Sequence, residues 1–369
     1  MKKNKTSNIE EQYYLASQWQ LMWRKLKKHK LAIIGSCILA LFYIIVLFTE
    51  IISPYNAVLR NSDFIYAPPQ RIRFIDQGKF HLQPFVYGLL YEMDKETYAR
   101  KYTIDKNQVL PISLFSRGTS YKLWGLFPSN IHFFGVKNGV IFLFGTDKMG
   151  RDLFSRVMYA TRISMSIGLV GVFISFVLGA LLGGISGYYG GAIDTIIQRV
   201  IEFLISIPTI PLWMGLSAAL PPQWGMIQVY FGITIILAIL NWGGLARVVR
   251  GKMLELRGAD FVMAAKIAGA KEFNIIIKHM LPSFLSYLIV NVTLAIPYMI
   301  LGETSLSFLG LGIRAPAVSW GTLFQDSQNV RSVIMHPWLF IPALFVIIAV
   351  LAFNFLGDGL RDAADPYKQ

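Results

Sequence analysis

The sequence has little of what most enzymes and disulfide-stabilised proteins rely on. It holds one cysteine, Cys37, so neither a disulfide framework nor a cysteine zinc cluster can form within the chain. Charged residues make up 15% of the 369 residues, against about a quarter in soluble globular proteins. No GxxxxGK followed by Ser or Thr occurs, and the chain therefore has no P-loop for ATP. These absences point away from soluble enzymes and toward the membrane.

Other catalytic and metal-binding patterns are also missing. The zinc motif HExxH does not occur, and the five histidines have no ligand spacing. Residues 147–152 place carboxylates near a glycine but lack the alternating ligands and the distal Glu of an EF-hand loop. Gly215-Leu216-Ser217 imitates a nucleophile turn, yet no histidine is predicted within reach of Ser217 to act as its base. We expect no catalytic residue and no metal site in this chain.

Long apolar runs are what the sequence has instead. About 20 mostly apolar residues are enough to cross a bilayer. A secretory signal does not explain the first run, which is longer than a signal core of about 7–15 residues and is followed by no small-x-small cleavage site. The sequence predicts an all-α polytopic membrane protein whose six transmembrane helices cover 31–53, 163–187, 196–220, 226–242, 284–302 and 338–356.

Positive charges predict how the spans are oriented. Lys and Arg are frequent in the amphipathic segment 1–30 and again between the fourth and fifth spans, while the short connections on the other side, 221–225 and 303–336, carry few. Because positively charged loops stay in the cytoplasm, both termini are expected there, including the tail at 358–369. The net charge of +14 then reflects topology and contact with lipid, and it requires no nucleic-acid partner.

Residues 54–144 are expected to form a small β-rich extracytoplasmic insertion, and 145–357 a core that holds the other five spans. Asp76-Gln77-Gly78 interrupts one alternating stretch, and Asn138-Gly139 lies between two apolar runs, which is a strong hairpin signal. The frequent aromatic residues fit either a core of the insertion's own or a docking face for an external protein. The sequence leaves both interpretations open.

Small residues recur every four positions in the second span, at Gly171, Ser175, Gly179, Gly183, Gly187 and Gly191. Such a stripe lets a second helix approach closely in lipid, where packing drives association. Static packing and sliding of the two helices are both compatible with it. Pro208 and Pro211 in the third span and Pro297 in the fifth free backbone groups that neighbours or cavity water must satisfy. These glycines and prolines are our candidates for helix packing or gating.

Three polar residues inside the predicted spans, or at their edges, are candidates for the lining of a pathway: Glu202, Asn291 and Glu303. Polar groups in a membrane are costly and often functional. Glu202 also suits the bilayer interface, and Asn291 also suits a hydrogen bond between helices. A purely structural role therefore stays open for both residues.

The residues from 260 to 282, which we call the 260–282 loop, fit neither a span nor a solvated connection. Asp260 is a candidate N-cap, and Gly269 suits the C′ position that ends a short helix through Ala268. A second helix is expected from Lys271, with an apolar face made of Phe273, Ile276, Ile277 and Met280. From the residues alone, lipid headgroups and a second protein are equal candidates for what this surface contacts.

The 260–282 loop resembles the EAA loop of binding-protein-dependent ABC importer permeases, whose pattern is EAA, three residues, Gly, nine residues and I-x-L-P. Here it reads Met263-Ala264-Ala265, Gly269 and His279-Met280-Leu281-Pro282, with Met263 in place of Glu and His279 in place of Ile. Both replacements are familiar in the peptide and nickel branch. FGTDKMGRDLFSR, SGYYGGAID, ETSLSFLGLG, VSWG and LGDGLRDAADP also look like that branch, in particular its C-type oligopeptide and dipeptide permeases. The similarity covers residues 17–53 and 141–366.

This resemblance implies the type I ABC importer permease fold and a transport subunit without an ATPase site of its own. It implies that the cytoplasmic coupling loop, 251–282, seats a short helix on an ATPase through Asp260, Met263, Ala264, Ala265, Gly269, Lys271, His279, Leu281 and Pro282. The implied partners are two P-loop ATPase subunits that bind ATP and Mg, a second permease of the B type, and an extracytoplasmic substrate-binding protein. The implied location is the prokaryotic cytoplasmic (inner) membrane, and the implied mechanism is alternating access.

Two other functions are also compatible with the sequence. A secondary transporter would show an internal repeat and intramembrane acids for its coupling ion, and a membrane scaffold would transport nothing. Among importer substrates, peptides are favoured over nickel and sugar conjugates by the resemblance alone. The insertion at 54–144 is larger than is usual for the family, and the resemblance implies no function for it.

Overall fold

The computed structural model describes residues 18–93, 95 and 100–365, and it is mostly helical. The basic residues of segment 1–30 that precede residue 18, and the last residues of the predicted tail, lie outside the described residues. The helices, numbered along the chain, are α1 (Gln18–Leu26), α2 (Lys30–Leu47), α3 (Thr49–Ile52), α4 (Leu153–Tyr189), α5 (Gly191–Ser206), α6 (Thr209–Ala218), α7 (Met226–Leu256), α8 (Asp260–Ile267), α9 (Glu272–Asn274), α10 (Leu281–Ser283), α11 (Leu285–Phe308), α12 (Trp320–Phe324), α13 (Val330–Met335) and α14 (Ile341–Ala364).

Among the described residues, five helical stretches are long and apolar enough to cross a membrane: α2, α4, α7, α11 and residues 337–364. The predicted third span, 196–220, is not one helix. α5 and α6 meet there at an angle of 88°, because Ile207 precedes Pro208 and takes the extended backbone that pre-proline residues prefer, with φ −89° and ψ 131°. The bent pair is a broken span or a re-entrant segment, so the part of the chain that the structure describes has five or six candidate spans.

The bundle is organised around α4. With 37 residues, this helix is about 55 Å long at about 1.5 Å per residue. It packs mainly against α7, while α2 packs against α14, and α11 packs against α14 and α4. Met165, Leu237, Ile300 and Trp320 are fully buried where these helices meet. The bundle therefore has an apolar core in its interior. Its helices also carry exposed apolar side chains on their outer surfaces.

The insertion folds as one antiparallel sheet in the strand order β1 (Arg73–Asp76), β2 (Lys79–Met93), β3 (Arg100–Leu123) and β4 (Phe127–Val136). The prediction of a β-rich insertion is confirmed. Asp76 pairs with Lys79 around Gln77 and Gly78, whose φ values of 46° and 80° are those of a two-residue type I′ turn.

The hairpin predicted at Asn138-Gly139 is wrong. β4 has already ended at Val136, and the following apolar residues pack instead of pairing with a strand. Ile141 donates its N–H to the Tyr55 hydroxyl at 2.9 Å, and Phe142 donates its N–H to the Gln70 side chain at 2.6 Å. These side-chain partners satisfy the backbone that a second strand would otherwise have paired, so the chain leaves the sheet here.

The sheet sits on the bundle where α4 begins. Leu110, Ile112 and Phe134 form a small core of the insertion that also contacts Phe154 in the first turn of α4. The other end of α4 carries Tyr188, which packs against the 260–282 loop. We therefore speak of a sheet end and a loop end of the bundle, separated by the length of α4.

Candidate functional site

The first helix of the 260–282 loop, α8, starts one residue earlier than the capping pattern predicts. Its N-cap is Ala259, whose carbonyl accepts the N–H groups of Val262 at 3.0 Å and Met263 at 3.1 Å. The prediction that Asp260 is the N-cap is therefore wrong. As the first helical residue, Asp260 still places a carboxylate near the positive end of the helix dipole.

α8 ends at a glycine whose backbone requires that residue type. Gly269 follows the C-cap Ala268 and has φ +77°, a left-handed conformation that strains other residues. The next N–H, that of Ala270, donates to the carbonyl of Ala265 at 3.0 Å, as in a Schellman motif. A Cβ at Gly269 would meet no atom within 4 Å. The need for glycine here is conformational and does not come from crowding.

The second arm of the loop is not the regular amphipathic helix that its sequence predicts. After α9, residues Ile275–Met280 form a π-helical turn. A π turn bonds residue i to i+5, so it rotates the residues that follow relative to α-helical spacing. Ile276 and Met280 of the predicted apolar face are buried, but Phe273 and Ile277 are exposed. The predicted face is therefore half wrong, and the π turn is the reason.

The inner face of the loop, which we define as Val262, Ile275, Ile276 and Met280, is at most 2% exposed. These side chains form one apolar cluster with residues from three long helices: Tyr188 of α4, Val249 and Met253 of α7, and Leu288 of α11. Burial of such side chains stabilises the contact by about 1.5–3 kcal/mol each. The inner face of the loop therefore packs against α4, α7 and α11 together.

The outer face of the loop is apolar and uncovered. We define it as Phe261, Met263, Ile267, Phe273 and Ile277, among which Ile267 is 85% and Phe273 57% exposed. Large exposed apolar side chains concentrated in one short loop make it a candidate interaction site. The loop thus has one face that belongs to the bundle and one face that is available to a partner.

The remaining predicted coupling residues divide between these two faces. Ala265 and Leu281 are half-buried and pack against the cluster of the inner face. Those that are exposed are Ala264, Lys271, His279 and Pro282. The small side chain of Ala264 lies beside Met263, so a second protein can approach the backbone of α8 closely at that point.

An ion pair that the sequence analysis missed fastens α5 to α7 at the loop end. Arg250 donates two hydrogen bonds to Asp194, from Nε to Oδ1 and from Nη2 to Oδ2, each at 2.5 Å. Ser186 of α4 donates to the same Asp194 Oδ1, also at 2.5 Å. The two residues are far apart in sequence. A search for opposite charges that flank two spans on the same side of the membrane is the signal that would have found them.

The small-residue stripe of α4 packs mainly against α7. Gly179, Gly183 and Gly187 face that helix, and a Cβ on Gly187 would come within 2.5 Å of the Met253 Cβ. Gly171 instead faces Met299 of α11, since a four-residue period drifts around a helix of 3.6 residues per turn. Gly191 is not part of the stripe, because α4 ends before it and it begins α5. The stripe is therefore shorter than predicted and contacts two helices.

The three predicted prolines have different surroundings. Pro208 precedes α6 at the break described above, and Pro211 lies in the first turn of α6, where a missing N–H leaves no hydrogen bond unmade. Pro297 is buried inside α11, which continues on both sides of it. Only Pro208 accompanies a change of direction as large as 88°.

The three candidate pathway residues are not brought together. Glu202 is exposed and pairs with Arg199 at 2.6 Å within α5. Asn291 lines a cavity of about 300 Å³ between α4, α7 and α11, together with Asn241 and Tyr298. Asn241 and Tyr298 were missed by the sequence analysis, although a polar residue in an apolar run is the signal that identified Asn291.

Glu303 is fully buried and does not line that cavity. Its carboxylate accepts hydrogen bonds from Ser307 at 2.6 Å and Ser164 at 3.1 Å. Ser164 in turn accepts the N–H of Trp320 at 3.1 Å. Glu303 therefore joins α4, α11 and α12 in the interior of the bundle.

The sheet end is held by charged side chains. Asp147 is fully buried and accepts hydrogen bonds from Arg151 Nε, at 2.7 Å, and from Arg156. Asp326, which follows α12 in the sequence, pairs with the exposed Lys148 at 2.9 Å and lies 4.0 Å from Arg156. Both oxygens of Asp147 are thus committed to hydrogen bonds with the protein's own groups. Asp152 caps α4 through the N–H of Ser155, and burial raises the pKa of its carboxyl to about 7.

Comparisons with known proteins identify the relatives of this chain. Residues 143–368 match the family described as "binding-protein-dependent transport system inner membrane component", and residues 17–69 match the "N-terminal TM domain of oligopeptide transport permease C".

The dipeptide transport system permease protein DppC of Bacillus subtilis (strain 168) is 42% identical over 60% of this chain and 68% of its own. DppC of Alkalihalophilus pseudofirmus is 32% identical over 97% of this chain and 92% of its own, which includes the insertion. A solved structure of the MetNI methionine ABC transporter is similar at 18% identity and a TM-score of 0.45, over 57% of this chain and 97% of that one, and a likeness of that size supports no structural argument.

Proposed function

The chain belongs to the family of binding-protein-dependent transport system inner membrane components, and from that premise we propose how it works and what it carries. It is a permease subunit of an ABC importer, and the ATP is hydrolysed by other subunits. Relatives that are named for dipeptide and oligopeptide transport support peptides as its substrate.

The 260–282 loop is the place where the partner ATPase acts on this chain. The observation that carries this proposal is the division of the loop into an exposed apolar outer face and an inner face packed against α4, α7 and α11. A partner that holds the outer face and moves it displaces all three helices, because the inner face is buried among them. The loop end is then cytoplasmic, and the sheet end faces the substrate-binding protein.

Transport requires that the bundle has two arrangements whose balance both ends can shift. Closure of the ATPases on ATP biases that balance from the loop end, and docking of a loaded binding protein biases it from the sheet end. ATP and Mg belong to the partner ATPases, of which we propose two, and a second permease of the B type completes the pathway.

The half of the pathway that this chain supplies runs along α11. Asn291 and Tyr298 line the 300 Å³ cavity with Asn241, and Tyr298 is 71% exposed. Polar groups that point out of a membrane helix are costly in lipid and are expected to face a protein partner or water. These amides and this phenol offer hydrogen bonds to a peptide backbone without selecting a particular side chain.

Ala264→Glu tests the docking of the ATPase. The variant places a carboxylate on the exposed side of α8, where a partner would bury it without a counter-charge at a cost of several kcal/mol. Since about 1.4 kcal/mol is tenfold in affinity, we expect the co-purified ATPases and ATP-dependent peptide uptake to fall by about a hundredfold. Ala265→Glu is less informative, because Ala265 is half-buried against the inner face and the change also disturbs the loop itself.

Ala192→Glu is the matched control, since Ala192 is also exposed and lies at the loop end in the first turn of α5. It is expected to retain both the ATPases and uptake. Gly269→Val is the second variant, because valine is strained at φ +77° although no neighbour would obstruct it. Normal uptake by Ala264→Glu at normal abundance in the membrane would contradict the proposed role of the loop.

A further inference from the structure

The turn between β3 and β4 carries large apolar side chains where turns usually carry small or polar ones. β3 ends at Leu123 and β4 begins at Phe127. Trp124 and Gly125 have φ values of 52° and 75°, which close the turn. The side chains of Trp124, Leu126 and Phe127 are 51%, 73% and 59% exposed. We call these three residues the apolar turn.

The depth of the apolar turn is fixed by its contact with a membrane helix. The indole Nε1 of Trp124 donates a hydrogen bond to the carbonyl of Leu47 at 2.7 Å. Leu47 is the last residue of α2, a helix that is apolar enough to span a bilayer. The Trp124 ring also lies 6.5 Å from the ring of Phe48, centroid to centroid. The turn is therefore held against the last turn of α2 and the Phe48 that follows it.

The hydrogen bond also allows an apolar medium to surround the indole of Trp124. Nε1 is the only polar atom of the indole, and the Leu47 carbonyl satisfies it. Leu126 and Phe127 have no polar side-chain atoms at all. An apolar medium around this turn would thus leave no side-chain donor unpaired, whereas water around it exposes three large hydrophobic groups.

The apolar turn continues a surface that α2 already presents. Leu41, Ile44, Leu47 and Phe48 are exposed along α2, at 57%, 50%, 50% and 39%, with the spacing of one helix face. In a membrane protein such a face contacts acyl chains. The apolar turn lies at the end of this face, so the same lipid that covers α2 reaches it.

We propose that the apolar turn inserts into the bilayer interface at which α2 ends and anchors the sheet to the lipid there. Tryptophan prefers this region because its ring is amphipathic, and leucine and phenylalanine bury their side chains at the boundary between headgroups and acyl chains. The insertion is then supported on two sides, by the core it shares with Phe154 and by lipid under the turn.

Spin labels on the full chain in lipid nanodiscs test this proposal. One nitroxide is placed on Leu126→Cys and another on Leu90→Cys, each in a Cys37→Ser background. Leu90 is an exposed leucine of the same sheet, 55% accessible, but it pairs with Thr103 at the other end of β3. The native Cys37, which is exposed on α2, serves as a reference inside the hydrocarbon.

We expect the Leu126→Cys label to collide with oxygen, relative to a water-soluble nickel chelate, several-fold more than the Leu90→Cys label does, and less than the label on Cys37. Equal ratios at positions 126 and 90 would place the turn in water and overturn the proposal. Protection from both reagents, alone or after addition of the binding protein, would assign the turn to a protein contact and overturn it equally.

A second measurement needs no new cysteine. Lipids brominated near the headgroup are expected to quench the fluorescence component that disappears in Trp124→Phe, while the remaining tryptophans report that the protein is folded. If that component resists brominated lipid but is quenched by aqueous iodide, the apolar turn is in water and the proposal fails.

Discussion

The loop end and the sheet end of the bundle are each stabilised by a different set of interactions. At the loop end, Val262 and Met280 are buried among apolar side chains from three long helices. At the sheet end, the fully buried Asp147 is bonded to Arg151 and Arg156, and Asp326 is bonded to Lys148. Both ends are attached to α4 by apolar contacts, and the sheet end adds a fully buried carboxylate with its two arginines.

This difference has a mechanical consequence. Apolar contacts have no preferred direction and tolerate a shift of the packed groups, whereas buried hydrogen-bonded ions need both partners in place. The loop end can therefore move with a partner while its contacts persist. The buried ion pairs around Asp147 are expected to keep their local geometry.

Arg156→Met is expected to give the largest loss of stability. It removes a cation that is 7% exposed from a carboxylate that is 0% exposed. Breaking a buried pair costs up to about 3–5 kcal/mol, and Arg151, which stays bonded to Asp147, offsets part of this loss. We expect a clearly lower midpoint of thermal unfolding in detergent and a lower abundance in the membrane.

Lys148→Met is the control for this change. Lys148 also pairs with an acid of the sheet end, Asp326, but it is 53% exposed, and exposed pairs contribute about 0–1 kcal/mol. Its unfolding midpoint should stay close to that of the wild type. Equal losses in the two variants would mean that burial of charge does not distinguish the sheet end.

Met280→Ala is expected to have the next largest effect, and it separates the two faces of the 260–282 loop. Met280 is fully buried, and truncation of such a side chain to alanine costs about 2–5 kcal/mol. Phe273→Ala, at a residue that is 57% exposed, is expected to change stability by about 0.5 kcal/mol or less.

The readouts of these two variants should be opposite. Met280→Ala lowers the unfolding midpoint, whereas Phe273→Ala keeps it and loses ATPase binding in co-purification. If Phe273→Ala binds the ATPases normally, the outer face is not where they dock. If Met280→Ala is as stable as the wild type, the inner face does not hold the loop to the bundle.

Much of the membrane architecture was predictable because it depends on local composition. The apolar runs predict helices where α2, α4, α7 and α11 are found, since a bilayer imposes both length and hydrophobicity. The break at Pro208 was visible as a proline but not as a bend of 88°. How far a proline bends the chain depends on what the neighbouring helices satisfy, and that is not a local property.

The parts that the sequence did not predict depend on contacts between distant residues. The four apolar residues predicted to share a face in the second arm of the loop are divided by the π turn at Ile275–Met280. Arg250 meets Asp194 only because α5 and α7 lie side by side. Asn138-Gly139 has the composition of a hairpin turn, but Tyr55 and Gln70 take up the backbone N–H groups that follow it.

Arg250→Lys is expected to have a smaller effect than Arg156→Met or Met280→Ala, and it tests whether the loop end also depends on ions. The Arg250–Asp194 pair is 32% and 16% exposed, and a lysine keeps the charge but loses the two-point hydrogen bond. We expect a loss of about 1 kcal/mol, measured as a small decrease in the unfolding midpoint. Arg199→Lys is the matched control. The Arg199–Glu202 pair lies within α5, the helix that carries Asp194, is 76% and 49% exposed, and should contribute about 0.5 kcal/mol or less. A loss in Arg250→Lys as large as that in Arg156→Met would remove the distinction between the two ends, because the loop end would then be fixed by an ion pair and the apolar inner face would no longer be its main attachment.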